Sequence, residues 1–250
     1  MLVAGATSAS GAAACRVLAG AGARVIAVGR DPEKLAALVV GVASAAGGSG
    51  PNLAPPSVQD TRTGDGPAPR VLATRQGELR VEVCDLSDER GVGALAERLR
   101  EDGIRVDGIL HLVGGWRGGG GLAGQSDADY RFLERGLTAL RYVSRAFDSD
   151  LRASESGRLA IVSSAAVARP LAGGANYAAV KAASEAWARA VAQGFAKAAR
   201  DAQEPLRAAS VVFRVTALAG LEEALAAHFA GLWDTDAPSV NDSVLTLDQA

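Results

Sequence analysis

Leu2-Val3-Ala4-Gly5-Ala6-Thr7-Ser8-Ala9-Ser10-Gly11 decides the fold. Three apolar residues come first, then a turn of small residues, then a helical pattern from Ser10 to Ala21. A strand passing into a helix through such a turn is the opening unit of a parallel α/β sheet. The turn also carries chemical meaning. Small residues let the backbone approach a pyrophosphate, and the helix start supplies N–H donors and a positive dipole end. Gly5, Thr7, Ser8, Ser10 and Gly11 are the candidate contacts, and Gly11 also allows close helix–strand packing. A plain small-residue turn is the alternative, because Ala9 stands where the usual pattern has its middle glycine.

The same rhythm continues outward. Strands are expected at Arg24–Val28, Leu79–Cys84, Asp107–Val113, Arg158–Ser163, Arg207–Phe213 and Val244–Leu247. Helices are expected from Pro32 to about Ala45, after a Ser87 cap, over Asp127–Leu151, from Gly174 to Ala199, and over Leu218–Leu232. Strict alternation predicts a parallel sheet with helices on both faces. One stretch breaks it. From about 47 to 77 the sequence is rich in Gly, Pro, Ser, Asn and Asp without periodicity, and reads as a flexible surface insertion or a partner-binding arm. Otherwise residues 1–250 form a single domain.

Composition narrows the function. The chain is 48% hydrophobic but only 4% aromatic, so Ala, Val and Leu must build the core. A formal charge of −2 gives no electrostatic case for nucleic acid or an anionic membrane. No run of 18 apolar residues predicts a membrane span, and MLVAGATSASG lacks the basic start of a signal peptide. Cys15 and Cys84 read as buried thiols of a reducing cytosol, and the expected location is cytoplasmic. His111 and His228 show no metal-ligand spacing with them, so no metal is expected.

The strand ends carry the remaining candidates. Gly29-Arg30-Asp31 lies where dinucleotide folds choose their cofactor. Arg30 comes first, and its guanidinium matches a 2′-phosphate, whereas a carboxylate such as Asp31 would hold ribose hydroxyls. Cys84-Asp85-Leu86 offers a carboxylate to an adenine amino group, or a helix cap. In His111-Leu112-Val113-Gly114-Gly115-Trp116 the glycines let the backbone run against a cofactor. His111 reads as structural, and Trp116 as either a substrate platform or a packed indole. Ser164 stands at a strand's carboxyl end, thirteen residues before Tyr177, and Tyr177 precedes Lys181 by one helical turn. Chance alone gives about 0.04 such Tyr/Lys pairs from three tyrosines and three lysines.

Together, Gly5-xxx-Ala9-x-Gly11, Asp85, Gly114, Ser164 and Tyr177-xxx-Lys181 resemble the classical short-chain dehydrogenase/reductase family. The resemblance runs from about Leu2 to Ala192. It implies a Rossmann-like, doubly wound parallel sheet of about seven strands, ordered 3-2-1-4-5-6-7. It implies hydride transfer between NADP(H), with NAD(H) as the alternative, and a ketone/secondary alcohol substrate. Tyr177 would be the acid/base, Ser164 would bind the substrate oxygen, and Lys181 would hold the nicotinamide ribose and lower the Tyr177 pKa. Thr216 could reach the carboxamide. The long Ala-rich helices would form a homodimer or homotetramer, as in relatives.

Three departures accompany the resemblance. Gly136 stands where the family often has an asparagine feeding a proton relay. His111-Leu112-Val113-Gly114 replaces Asn-Asn-Ala-Gly, and Phe213-Arg214 replaces a Pro-Gly turn. These departures motivate a rival reading, a catalytically weak NADP(H)-binding redox sensor or scaffold. A non-redox lyase or epimerase of similar fold is a third.

Overall fold

The structure, a computed structural model, describes residues 1–46, 58–60, 70–73 and 77–248. β1 (Leu2–Ala4) passes into α1 (Ala9–Gly20), followed by β2 (Arg24–Gly29) and α2 (Pro32–Ala46). Then come β3 (Val58–Asp60), β4 (Arg70–Ala73), β5 (Glu78–Val83), α3 (Glu89–Glu101) and β6 (Gly108–His111). α4 (Asp127–Ala146), α5 (Asp148–Ala153), β7 (Arg158–Ser164) and α6 (Ala175–Ala202) precede β8 (Ala209–Val215). α7 (Glu222–Ala230), α8 (Ala237–Val240) and β9 (Val244–Leu247) complete the chain.

Seven strands pair in parallel in the spatial order β5-β2-β1-β6-β7-β8-β9, the expected 3-2-1-4-5-6-7. The central strand β1 shows why both faces must be covered. Val3 points into a core shared with Leu18, Leu35, Leu225 and Phe229, whereas Leu2 and Ala4 join Val92, Leu95, Val143 and Phe195 on the other side. The first core lies under α1, α2 and α7, the second under α3, α4 and α6.

Four expectations need correction. The stretch from 47 to 77 is not wholly irregular: β3 pairs antiparallel with β4, and β4 antiparallel with β5, so the sheet has nine strands. The expected flexibility falls on 47–57, 61–69 and 74–76, outside the described residues. The expected 127–151 helix breaks at Phe147, which is fully buried with φ −108° and starts the separate α5. The cap of α3 is Asp88, whose side chain accepts from Arg90 N–H, because Ser87 is drawn onto Asp85 instead. The expected helix at 218–232 is regular only over α7.

At the amino end of β7, Arg158 is 2% exposed. Its guanidinium donates to the carbonyls of Leu232, Gly157, Arg207 and Thr235. This one cation joins β7, the approach to β8 and the segment after α7.

Candidate active site

The sheet's carboxyl edge gathers most of the predicted residues. Gly5 has φ +85°, and a Cβ there would lie 3.0 Å from the Leu112 carbonyl carbon. Glycine is therefore required by conformation and by space. Ser8 caps α1, accepting from Gly11 N–H at 3.0 Å. A Cβ at Gly11 would collide with the Gly5 carbonyl oxygen, which explains the close seating of the helix on its turn.

Gly5, Thr7, Ser8, Arg30, Asp85, Leu86, Val113 and Gly114 line one cavity of about 240 Å³. Phe132 and Arg135 of α4 complete it, and sequence reading did not find them. Their signal was their place one turn or less before Gly136. Ser10, in the first turn of α1, is not in this lining. Thr216, one residue past β8, is exposed and lines neither this cavity nor the smaller one beside it.

Arg30 and Asp31 separate in role. Asp31 Oδ1 accepts from the N–H groups of Glu33 and Lys34, both at 3.1 Å, so its carboxylate is occupied in starting α2. Among the described residues Arg30 makes no side-chain hydrogen bond, and it faces the cavity. Asp85 sits opposite. Ser87 donates its N–H and hydroxyl to Asp85 Oδ1, at 2.9 and 2.7 Å. These bonds hold the carboxyl below its ordinary range, with Arg30 and Arg135 helping.

A second cavity, about 20 Å³, shares Val113, Gly114 and Gly136 with the first. Gly115, His111, Tyr177 and Lys181 also line it. Lys181 Nζ lies 5.7 Å from the Tyr177 ring centre and donates to the Val162 carbonyl at 2.7 Å. Burial lowers Lys181 to about 8, opposed by Glu185 one turn further along α6. The expectation that Lys181 lowers the Tyr177 pKa is not met. Burial raises the phenol above 10.0, and the interaction that lowers it comes from Ser164. Ser164 also accepts from Ala166 N–H at 3.2 Å.

The departures acquire physical reasons. A Cβ at Gly136 would lie 2.9 Å from the Val113 carbonyl oxygen, so α4 crosses the β6 turn too closely for a side chain. His111 bonds the Gly136 carbonyl through Nε2 at 3.0 Å. A carbonyl only accepts, so Nε2 carries the proton and buried Nδ1 is left without a partner among the described residues. Burial lowers His111 to about 4. Trp116 is 61% exposed, which removes the packed-indole reading. Arg214 turns inward onto Glu185, a pairing not anticipated from sequence.

The family profile described as enoyl-(acyl carrier protein) reductase matches residues 59–200, more than half the chain. The chain belongs to that family, within the short-chain dehydrogenase/reductase oxidoreductases. A candidate daunorubicin C-13 ketoreductase of Streptomyces sp. (strain C5) is 34% identical over 115 residues. That match spans 46% of this chain and 30% of the relative, so the chain aligns with less than a third of its length. A metagenomic short-chain oxidoreductase solved with NADP superposes with a TM-score of 0.70 at 24% identity, covering 100% of this chain and 96% of that one. A short-chain dehydrogenase from Burkholderia cenocepacia J2315, also solved with NADP, gives 0.71 at 22% identity, covering 99% and 95%. Among the described residues no helix is long and apolar enough to cross a membrane.

Proposed function

We propose that this oxidoreductase reduces a ketone to a secondary alcohol, or the reverse, with NADP(H). The observation that carries this reading is the approach of Ser164, Tyr177 and Lys181 beside the cavity at the first βα turn. NADPH, when bound, supplies the hydride. Gly5, Thr7 and Ser8 would hold its pyrophosphate, Arg30 its 2′-phosphate and Asp85 its adenine amino group. NADP in the two superposed oxidoreductases supports the choice, and so does Asp31's engagement as a cap.

Ser164 would donate to the ketone oxygen and Tyr177 would give it a proton as charge develops there. A phenol held above 10.0 is a sufficient acid for an alkoxide but a poor base at neutral pH. Trp116, Leu122 and Leu171 are exposed on the two segments flanking Tyr177, which favours a ketone with an apolar body. Gly119 N–H and Gln125 Nε2 donate to the Gly173 carbonyl, tying those segments together.

Incubation with NADPH and a panel of apolar ketones tests the reading. Tyr177→Phe should lower kcat roughly 10²–10⁴-fold with cofactor affinity retained. NADPH binding without turnover by either form would instead support the redox-sensor reading. For cofactor choice, Arg30→Ala should weaken NADPH roughly 10–100-fold and leave NADH nearly unchanged. Equal weakening of both would remove the 2′-phosphate assignment.

A further inference from the structure

We propose that Glu185, clamped by Arg214, is a positioning residue that holds Lys181 in its charged form beside Tyr177. The inference rests on the reading of Lys181 as the partner of Tyr177.

The geometry begins with the clamp. Glu185 is 6% exposed. Arg214 Nε donates to its Oε1 at 3.1 Å and Nη2 to its Oε2 at 2.6 Å. A guanidinium does not lose its proton in a protein, so this fork sets a permanent cation against both oxygens of the buried Glu185 side chain. Glu185 follows Lys181 by four residues on α6, which places the two on one face a turn apart.

The surroundings of Lys181 explain why such a charge matters. From α6, Tyr177 presents a neutral ring. From β7, the Val162 carbonyl accepts one ammonium proton. From β6, His111 and Lys181 disfavour each other's charge. From β8, Arg214 would do the same if its charge were not spent on Glu185. Burial drives the ammonium toward the neutral amine, and Glu185 opposes it. A neutral amine could not serve as a cation beside the phenol. A tether between α6 and β8 alone would stabilise the fold without influencing the Lys181 proton.

The three lysines, at 34, 181 and 197, make a direct test practicable. Protein labelled with ¹³C at lysine Cε is titrated by NMR without cofactor or substrate, and the Lys181 signal is assigned with Lys181→Met. The wild-type midpoint should fall near about 8. Glu185→Gln should move it to lower pH. Because that variant leaves the half-buried Arg214 guanidinium without its carboxylate, the double variant Glu185→Leu with Arg214→Met replaces the pair by apolar side chains of similar bulk. It should show the same downward movement while circular dichroism reports a wild-type fold. Either folded variant decides the matter. An unchanged midpoint overturns the proposal and leaves the pair as a tether. A protein that turns over no ketone defeats the proposed function without altering this titration.

Discussion

Strand β7 meets a cation near each end, its own Arg158 and Lys181 of α6, and the two are built in opposite ways. At the amino end Arg158 donates to four carbonyls, and its guanidinium has no neutral state to fall back on. Near the carboxyl end Lys181 donates to one carbonyl, that of Val162, and burial brings it down to about 8. Arginine with its donors satisfied is a fixture. Lysine with its proton loosely held is a group poised to respond. The amino edge of the sheet thus holds a fixed joint, and the carboxyl edge, where open α/β sheets bind ligands, holds a lysine whose proton is loosely kept.

The sharpest way to break this contrast is to remove each cation in turn. Lys181→Met should lower kcat/KM roughly 10²–10⁴-fold. It should not reduce stability at pH 7. The folded-state pKa of Lys181 is depressed, so its charge penalises folding fully below about 8, and the penalty fades as pH rises toward 10.5. The stability advantage of Lys181→Met over wild type should fade over the same window. Arg158→Met should do the reverse, costing roughly 3–5 kcal/mol because buried carbonyls lose their donor. Its cofactor affinity at low temperature should persist. Denaturant melts and NADPH titration of both variants check the pair, and similar stability losses in the two would dissolve the distinction.

His111 extends the comparison on the carboxyl edge. Its pKa falls from 6.5 to about 4 on folding. The unfolded chain therefore takes up a proton in a range where the folded chain does not. Stability is intact above 6.5 and is lost as pH falls toward about 4, by about 3 kcal/mol in total. His111→Gln should remove that acid-side slope, measured as stability against pH. A slope that survives the substitution belongs to other groups.

Much of this arrangement was legible in the sequence because its signals are local. The turn after β1, the Tyr177/Lys181 spacing and Ser164 each lie within a single element or its end; alternation pointed to a parallel sheet, and the family resemblance implied its strand order. What escaped depends on approach in space. The Glu185–Arg214 pair spans 29 residues, and Phe132 and Arg135 enter the cavity only because of how α4 is laid down. Asp31 and Ser87 misled for another reason: a short polar side chain before a helix can cap, bind or support a neighbour, and the sequence shows the residue but not its partner. The two strands β3 and β4 were hidden by flanks rich in breakers.

Gly136 gives the finest form of the contrast, because another helical glycine serves as its control. Gly93 lies in α3 with nothing within 4 Å of the position a Cβ would take. Gly93→Ala should stabilise by up to about 1 kcal/mol, the ordinary gain in helix propensity. At Gly136 the same gain opposes a Cβ 2.9 Å from the Val113 oxygen and 3.4 Å from Gly114 Cα, both backbone atoms. Overpacking of that kind costs about 1–3 kcal/mol, so the net effect of Gly136→Ala should be a loss of about 0–2 kcal/mol. Val113 and Gly114 also line the larger cavity, so a shift there should weaken NADPH binding as well. Gly136→Asn, which introduces the asparagine that the family resemblance leads one to expect there, should be worse than alanine in both respects. If it instead folds at wild-type stability and binds NADPH as tightly, the close crossing of α4 over the β6 turn is not what excludes a side chain.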